Sequence, residues 1–342
     1  MEILSIVMPV YNRSALVIKM IKSIEEQSFK DWKLILIDDG SAIDEFDIIC
    51  SYIKQNPKII YKKRPDTSKK GAPACRNIGL DIASGKYIIF FDSDDLLPVF
   101  CLEERVNFME KHPDIDFGVF PYIEYKREPN EPTNFGCTKF YKDDFIAFLK
   151  RRLPFLVVSN IYKRQSIISC GIRWDEELKS LQDADFNIQA LSKGLKYDYS
   201  DTQKADYYNR VVGNGSSISK GIYSHTNFES HIYYQKKVLI AAENNRCYIQ
   251  ACRHSFFYLY SIMLVNYQAD YAKRLIELHK DKDYIFYLIL IVKDYIIRHI
   301  LIPCKVPANI CRWLFFPYSC IVRKLQINKH FIYSKKIIKL QK

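Results

Sequence analysis

Tyr87 to Phe91 reads YIIFF, an unbroken apolar run preceded by Gly85-Lys86 and followed at once by Asp92-Ser93-Asp94-Asp95. Such a run is too short for a buried helix, and its lack of alternation fits a strand covered on both faces, as in a parallel sheet between helix layers. The chain must therefore deliver three carboxylates to the carboxyl end of a central strand, where open α/β sheets bind ligands. Crowded carboxylates repel, so a cation or a set of hydrogen-bond donors has to lie close by. A hard divalent ion, Mg²⁺ or Mn²⁺, takes one or two carboxylates and completes its shell with phosphate oxygens and water. A strand ending in D-x-D thus points to a metal-nucleotide site; a polar turn capping the next helix is the plainer reading of the motif alone.

The preceding chain repeats this pattern. Leu4 to Val10 is a second strand-like run ending in Pro9-Val10-Tyr11-Asn12-Arg13, and Ser14 is placed to cap a helix carrying Leu16, Val17, Met20, Ile21 and Ile24. Leu34 to Ile37 is a third, ending in Asp38-Asp39-Gly40-Ser41. A helix with Phe46, Ile49 and Ile53 on one face stops at Pro57, and Ile59 to Tyr61 forms a short strand. This alternation predicts a parallel, doubly wound sheet. Lys62 to Pro73 is a polar loop whose Arg64, Lys69 and Lys70 could hold phosphate or simply solvate it; Cys75-Arg76-Asn77 then opens a helix closing at Gly85.

Downstream, the pattern gives a helix over 99–112, a strand over 117–120, a connecting loop over 127–137 and a helix around 142–152. In LQDADFNIQAL, Leu181, Ala184, Ile188 and Leu191 share a helical face, which sets Asp183 at the N-terminal edge, either as a functional carboxylate or as a helix cap.

Charge divides the 342 residues unevenly. Residues 1–224 hold 32 Lys/Arg against 32 Asp/Glu, whereas 225–342 hold 19 against 7, so the whole excess of +12 lies in the last third. After Asp294 there are ten Lys/Arg and no acidic residue, interleaved with aromatic and aliphatic side chains. The ten cysteines form no C-x-x-C pair, and Met1 to Val10 does not read as a signal peptide, so reduced thiols in a cytoplasmic protein are expected.

Three stretches taken together carry a resemblance. SIVMPVYNR at 5–13, ILIDDGS at 35–41 and CRNIGLDIASGKYIIFFDSDD at 75–95 resemble, in this order and spacing, the inverting glycosyltransferases of family 2, over about the first 220 residues. The resemblance implies a GT-A fold, an α/β Rossmann-like domain with a mainly parallel sheet at 1–224: nucleotide-binding over about 1–97, acceptor-binding over about 98–224. A helical, basic region at 225–342 follows. It implies that Tyr11 and Asp39 hold the base of a nucleotide-sugar donor, with Pro9 also at the nucleotide, that Arg76 and Asn77 contact the nucleotide and diphosphate, and that Asp92, Ser93 and Asp94 form the D-x-D, with Asp92 near the ribose and Asp94 on a Mn²⁺ or Mg²⁺ ion. Asp95 and Gln182 are implied near the sugar or acceptor. Gln182-Asp183 stands where the family has Glu-Asp, so the first member departs from the pattern; Asp183 is the implied base, with Asp185 as alternative. Arg210, Asn214, Ser217 and Ser219 match a lid that lacks the family's usual histidine.

The activity so implied is inverting transfer from a UDP-sugar to a hydroxyl of a glycan or polyprenyl-diphosphate-linked acceptor in bacterial surface polysaccharide assembly. A metal-dependent nucleotidyltransferase would share the metal site, yet residues 1–15 hold no Gly-rich phosphate loop. The remaining alternative is a non-catalytic protein working through its basic tail. That tail, 283–342, is expected to meet an anionic membrane surface on the cytoplasmic side without spanning it, since its longest apolar run, Tyr284 to Val292, falls far short of the roughly 20 residues a span needs. Nucleic acid is not an expected partner, because nothing in the first 224 residues extends the positive field.

Overall fold

The structure is a computed structural model, and it describes residues 2–136, 139–202, 204–211, 225–265, 269–301 and 304. Four strands form a parallel block: β1 (Leu4–Val10), β2 (Trp32–Asp38), β3 (Ile59–Lys63) and β4 (Tyr87–Phe90), in the order β3-β2-β1-β4. Their crossovers are α1 (Ser14–Glu25), α2 (Ile43–Ile53) and α3 (Ala72–Ile82). The first two connections step outward to β2 and β3, and the third returns to the other side of β1, where β4 pairs Val7 with Phe90. The strand order therefore reverses between β1 and β4, and a ligand crevice opens at their carboxyl ends.

Both faces of β1, β2 and β4 are packed. Val7, Ile35, Ile37, Ile88 and Phe90 point to one side, toward α3, while Ile6, Met8, Leu34, Leu36 and Ile89 point to the other, toward α1 and α4 (Cys101–Lys111). That is why these strands read as continuous apolar runs. Gly79 sits where α3 crosses β1: a Cβ there would come within 2.3 Å of Val7 Cγ1.

Beyond β4 the sheet changes sense. After β5 (Phe117–Val119), β6 (Tyr122–Tyr125) and β7 (Pro132–Gly136) come α5 (Asp144–Leu149), β8 (Asn160–Lys163) and α6 (Arg164–Ser169). Then follow α7 (Gln182–Ser192), β9 (Tyr197–Tyr199) and β10 (Tyr207–Arg210). β8 lies antiparallel between β4 and β5, and β9 runs parallel beside β5, completing a seven-stranded sheet; β10-β6-β7 form a separate three-stranded sheet. Arg105 of α4 binds Asp206, just before β10, through Nε at 2.6 Å and Nη2 at 2.8 Å, and both side chains are fully buried.

Several local expectations are corrected. The 127–137 segment contains β7, a short edge strand whose opening proline, opposite Tyr125, has no N–H to donate. Ser14 is the first residue of α1, not its cap; its N–H is taken at 2.6 Å by the Glu45 carboxylate of α2. The α3 helix ends at Ile82, and Gly85 instead allows close backbone approach, with a Cβ there falling 2.7 Å from the Ser5 nitrogen.

Four helices follow: α8 (His225–Ala242), α9 (Arg246–Val265), α10 (Ala269–Glu277) and α11 (Tyr284–Ile296). The expected boundary at 224/225 follows charge, but packing continues across it: Tyr234, Val238 and Leu239 of α8 are buried in the same core as Phe90 and Phe186. The outer part, with Phe256, Leu275, Phe286 and Leu290, makes a cluster of its own.

Candidate active site

The crevice is built first by two turns that brace each other. Asp38 at the end of β2 accepts hydrogen bonds from the N–H groups of Gly40 and Ser41, at 3.0 and 2.8 Å, and Gly40 takes φ 91°, a left-handed conformation suited to glycine. Asn12, after β1, donates its N–H to Ser41 Oγ and accepts from the Ala42 N–H. Asp39 is thereby fixed at the crevice wall, where its Oδ1 accepts from Arg64 Nε at 2.7 Å and from the Gly71 N–H at 2.9 Å. Tyr11 is 42% exposed with Lys70 Nζ 4.4 Å from its ring centre, a cation-aromatic pair at the rim. Pro9 is paired with Ile37 in the β1–β2 ladder.

At the mouth of β4 each of the three carboxylates takes partners of its own. Asp92 Oδ1 accepts from Arg76 Nη2 at 2.6 Å, and the buried guanidinium of Arg76 lies 4.3 Å from the ring centre of Trp174. Asp94 is paired at 2.9 Å with Arg13 Nη1. Burial raises the Asp94 carboxyl above its ordinary pKa; Arg13 and Arg210 act against that shift and Asp92 adds to it. Asp95 is 3% exposed: Tyr207 donates its hydroxyl to Oδ2 and Arg210 its backbone N–H to Oδ1 at 2.6 Å. Its carboxylate is thus committed to fastening β10, with Ser93 buried beside it.

The α7 helix supplies the opposite wall. Leu181 precedes it with φ 62° and no side-chain cap, so the helix cap is not Asp183. Asp183, in the first turn, is half-buried, and burial pushes its carboxyl up to about 6 while Arg76 pulls it down and Asp92 pushes it up. Gln182 donates to the Leu178 carbonyl at 2.9 Å. Asp185 points elsewhere: it is buried and accepts from Lys237 Nζ of α8 at 2.7 Å and from Gln189 at 2.8 Å. Asn77 is also spoken for, since its amide is bonded to the Trp174 backbone and to Glu176 Oε1.

The structure thus gathers Tyr11, Asp39, Arg76, Asp92, Asp94, Asp183 and Arg210 around one crevice, and gives Asn77, Asp95 and Asp185 bonds that hold the scaffold. Asn214, Ser217 and Ser219 lie outside the described residues. Two participants had no assigned role in the sequence. Arg13 stands inside the first motif, and its position just past a strand end was the available signal; Trp174 carried none, because its contact with Arg76 spans 98 positions.

No group of three or more His, Cys, Asp or Glu among the described residues could hold a metal alone. An ion drawing most of its ligands from a diphosphate and water needs one or two carboxylates. Asp94, desolvated, beside Asp92 and balanced by the displaceable, 39%-exposed Arg13 side chain, fits that requirement.

Residues 5–171 match the family model described as "Glycosyl transferase family 2". The chain is 27% identical over 269 residues to the minor teichoic acid biosynthesis protein GgaB of Bacillus subtilis, covering 70% of this chain and 27% of that one. It is 39% identical over 144 residues to the GalNAc(5)-diNAcBac-PP-undecaprenol beta-1,3-glucosyltransferase of Campylobacter jejuni, covering 42% and 45%. This chain therefore spans well under two thirds of either relative. Its fold is similar to the crystal structure of S. aureus TarS 1-349 in complex with UDP-GlcNAc, with TM-score 0.64, 18% identity and 82% of each chain covered. Ordered motifs, a reversing parallel sheet and the family match converge, and residues 5–171 form a glycosyl transferase family 2 domain with a GT-A fold.

Proposed function

We propose that this protein is a glycosyltransferase that moves a sugar, with inversion, from a UDP-sugar to a hydroxyl of a glycan or lipid-linked oligosaccharide in surface polysaccharide assembly. Asp183 carries the reading. A carboxylate raised to about 6 is still ionised at neutral pH, yet basic enough to take a proton as a hydroxyl attacks. The names of the relatives support the acceptor class: one is a teichoic acid biosynthesis protein and one acts on an undecaprenol-linked glycan. Such an acceptor would place the work at the inner face of a plasma membrane.

In this reading Tyr11 and Asp39 hold the nucleotide base at the β1 and β2 ends, and Arg76, fixed by Asp92 and Trp174, keeps Asp183 in its basic form. Asp183 receives the acceptor proton on the face of the sugar opposite the departing diphosphate, so attack is in line and the anomeric centre inverts. Arg13 and Arg210 lie beside Asp94, where negative charge grows on the leaving group. A Mg²⁺ or Mn²⁺ ion held by Asp94, with Asp92 adjacent, would supply further stabilisation of that charge when bound.

The test is release of nucleoside diphosphate from a panel of nucleotide sugars with undecaprenyl-linked and polyol-phosphate acceptors, with the anomeric product identified by NMR. An α-configured donor should give a β-linked product. Retention, or pyrophosphate in place of nucleoside diphosphate, overturns the proposal.

A further inference from the structure

The α11 helix has an unusual exterior. Tyr284, Ile285, Leu288, Ile289, Val292 and Tyr295 are 44–69% exposed, and every exposed residue between 284 and 296 is apolar or aromatic. At 100° per residue these side chains sweep about half of the helix circumference. The other half is seated: Phe286, Tyr287 and Leu290 are buried against the outer helical cluster, and Asp294 is bound by Tyr260 and Arg298. A helix of a water-soluble protein normally turns charged residues outward. Here the outward face is the apolar one, a continuous patch of the kind that marks a contact surface.

The geometry points to its partner. We infer that the outer face of α11 lies in the interface of an anionic lipid bilayer, parallel to its plane. The helix of 13 residues is about 20 Å long, too short to cross hydrocarbon, and no helix among the described residues is long and apolar enough to do so. It can instead sink to the depth of its side chains, with Tyr284 and Tyr295 at the level of the headgroups. Charge selects lipid over a second copy of this chain. The sequence after Asp294 holds ten Lys/Arg and no acidic side chain, a like charge that both copies of a pair would carry. An anionic leaflet supplies the missing counter-charge. The inference stands independently of which sugar is transferred.

The full chain is tested by flotation with phosphatidylcholine vesicles, with and without phosphatidylglycerol. The native protein should float with the anionic vesicles, less with the neutral ones, and lose binding as salt is raised. The triple variant Leu288→Gln, Ile289→Gln, Val292→Gln alters exposed side chains, so its melting temperature should stay near native while its vesicle affinity falls about tenfold or more. In a second variant, Val292→Trp, indole emission should shift to the blue on adding vesicles and be quenched by brominated lipid. Equal flotation of native and triple variant overturns the inference. So does a native dimer that the triple variant converts to monomer without vesicles, which would make the face a self-contact. If the indole added at 292, read as the difference from the native protein, is shielded from aqueous quencher before any lipid is added, the inference is likewise overturned, because another segment of the chain would then cover α11.

Discussion

Asn77 and Trp174 exchange two hydrogen bonds, the side-chain amide donating to the Trp174 carbonyl and accepting from its N–H, each at 2.9 Å. An asparagine so used mimics a strand neighbour. It ties α3 to the segment before α7, and the tryptophan ring it fixes is the surface on which Arg76 rests.

Replacing Asn77 by Ala leaves a buried backbone donor and acceptor unpaired, so stability should fall by about 2–4 kcal/mol. Urea denaturation measures this. Nucleotide affinity of the folded variant, by calorimetry, should stay within about threefold, as expected of a tie and not of a ligand contact. Unchanged stability with lost affinity would return Asn77 to the donor.

Asp183 sets a pH dependence. The proposed mechanism requires its basic form and burial raises its pKa to about 6, so kcat/KM should be flat above neutrality and fall tenfold per pH unit below about 6. Arg76 favours the ionised form, so Arg76→Gln should move that limb to higher pH. Asp183→Asn should lower kcat by about 10²-fold or more with nucleotide binding retained; Asp185→Asn should act on stability, since its partner Lys237 belongs to the scaffold.

Chelation should abolish turnover and Mn²⁺ or Mg²⁺ restore it. Asp94→Ala should be inactive with either ion present, and Mn²⁺ paramagnetic resonance with bound nucleoside diphosphate should show the ion free in the variant and held in the native protein. Full activity in chelator would remove the metal.

Arg105 and Asp206 form a buried pair of full charges. Arg105→Met strands Asp206 in the core and should cost about 3–5 kcal/mol, whereas the double change Arg105→Met, Asp206→Leu should cost less than that single one. Thermal and chemical unfolding of the three proteins distinguish these outcomes.

Much of this was legible because β1, β2 and β4 are buried on both faces, and a run such as Tyr87 to Phe91 has no other way to sit. Their ends, and so Asp39, Asp92 and Asp94, came with them. The small, half-buried sheet β10-β6-β7 was not legible: its strands are only four or five residues long, and β7 opens on a proline. Nor could the motifs say which carboxylate faces the crevice. Asp183 and Asp185 are two positions apart on one helix, and what separates them is Lys237, 52 residues away from the second. Ser14 misled because a hydroxyl at a helix start is the usual cap, whereas here a carboxylate from another helix takes the N–H.

The burial of Tyr234, Val238 and Leu239 among the core residues of the sheet has a consequence for inheritance. The family match ends at residue 171, well before α8, yet a recombination joint placed at 224/225 would open that core to water and leave Asp185 and Asp175 without the ammonium of Lys237. A viable exchange of domains between relatives must carry α8 along with the motifs. The heritable cassette is therefore longer than the chemistry it transmits, and sequence drift in α8 is constrained by a crevice that none of its residues is needed to line.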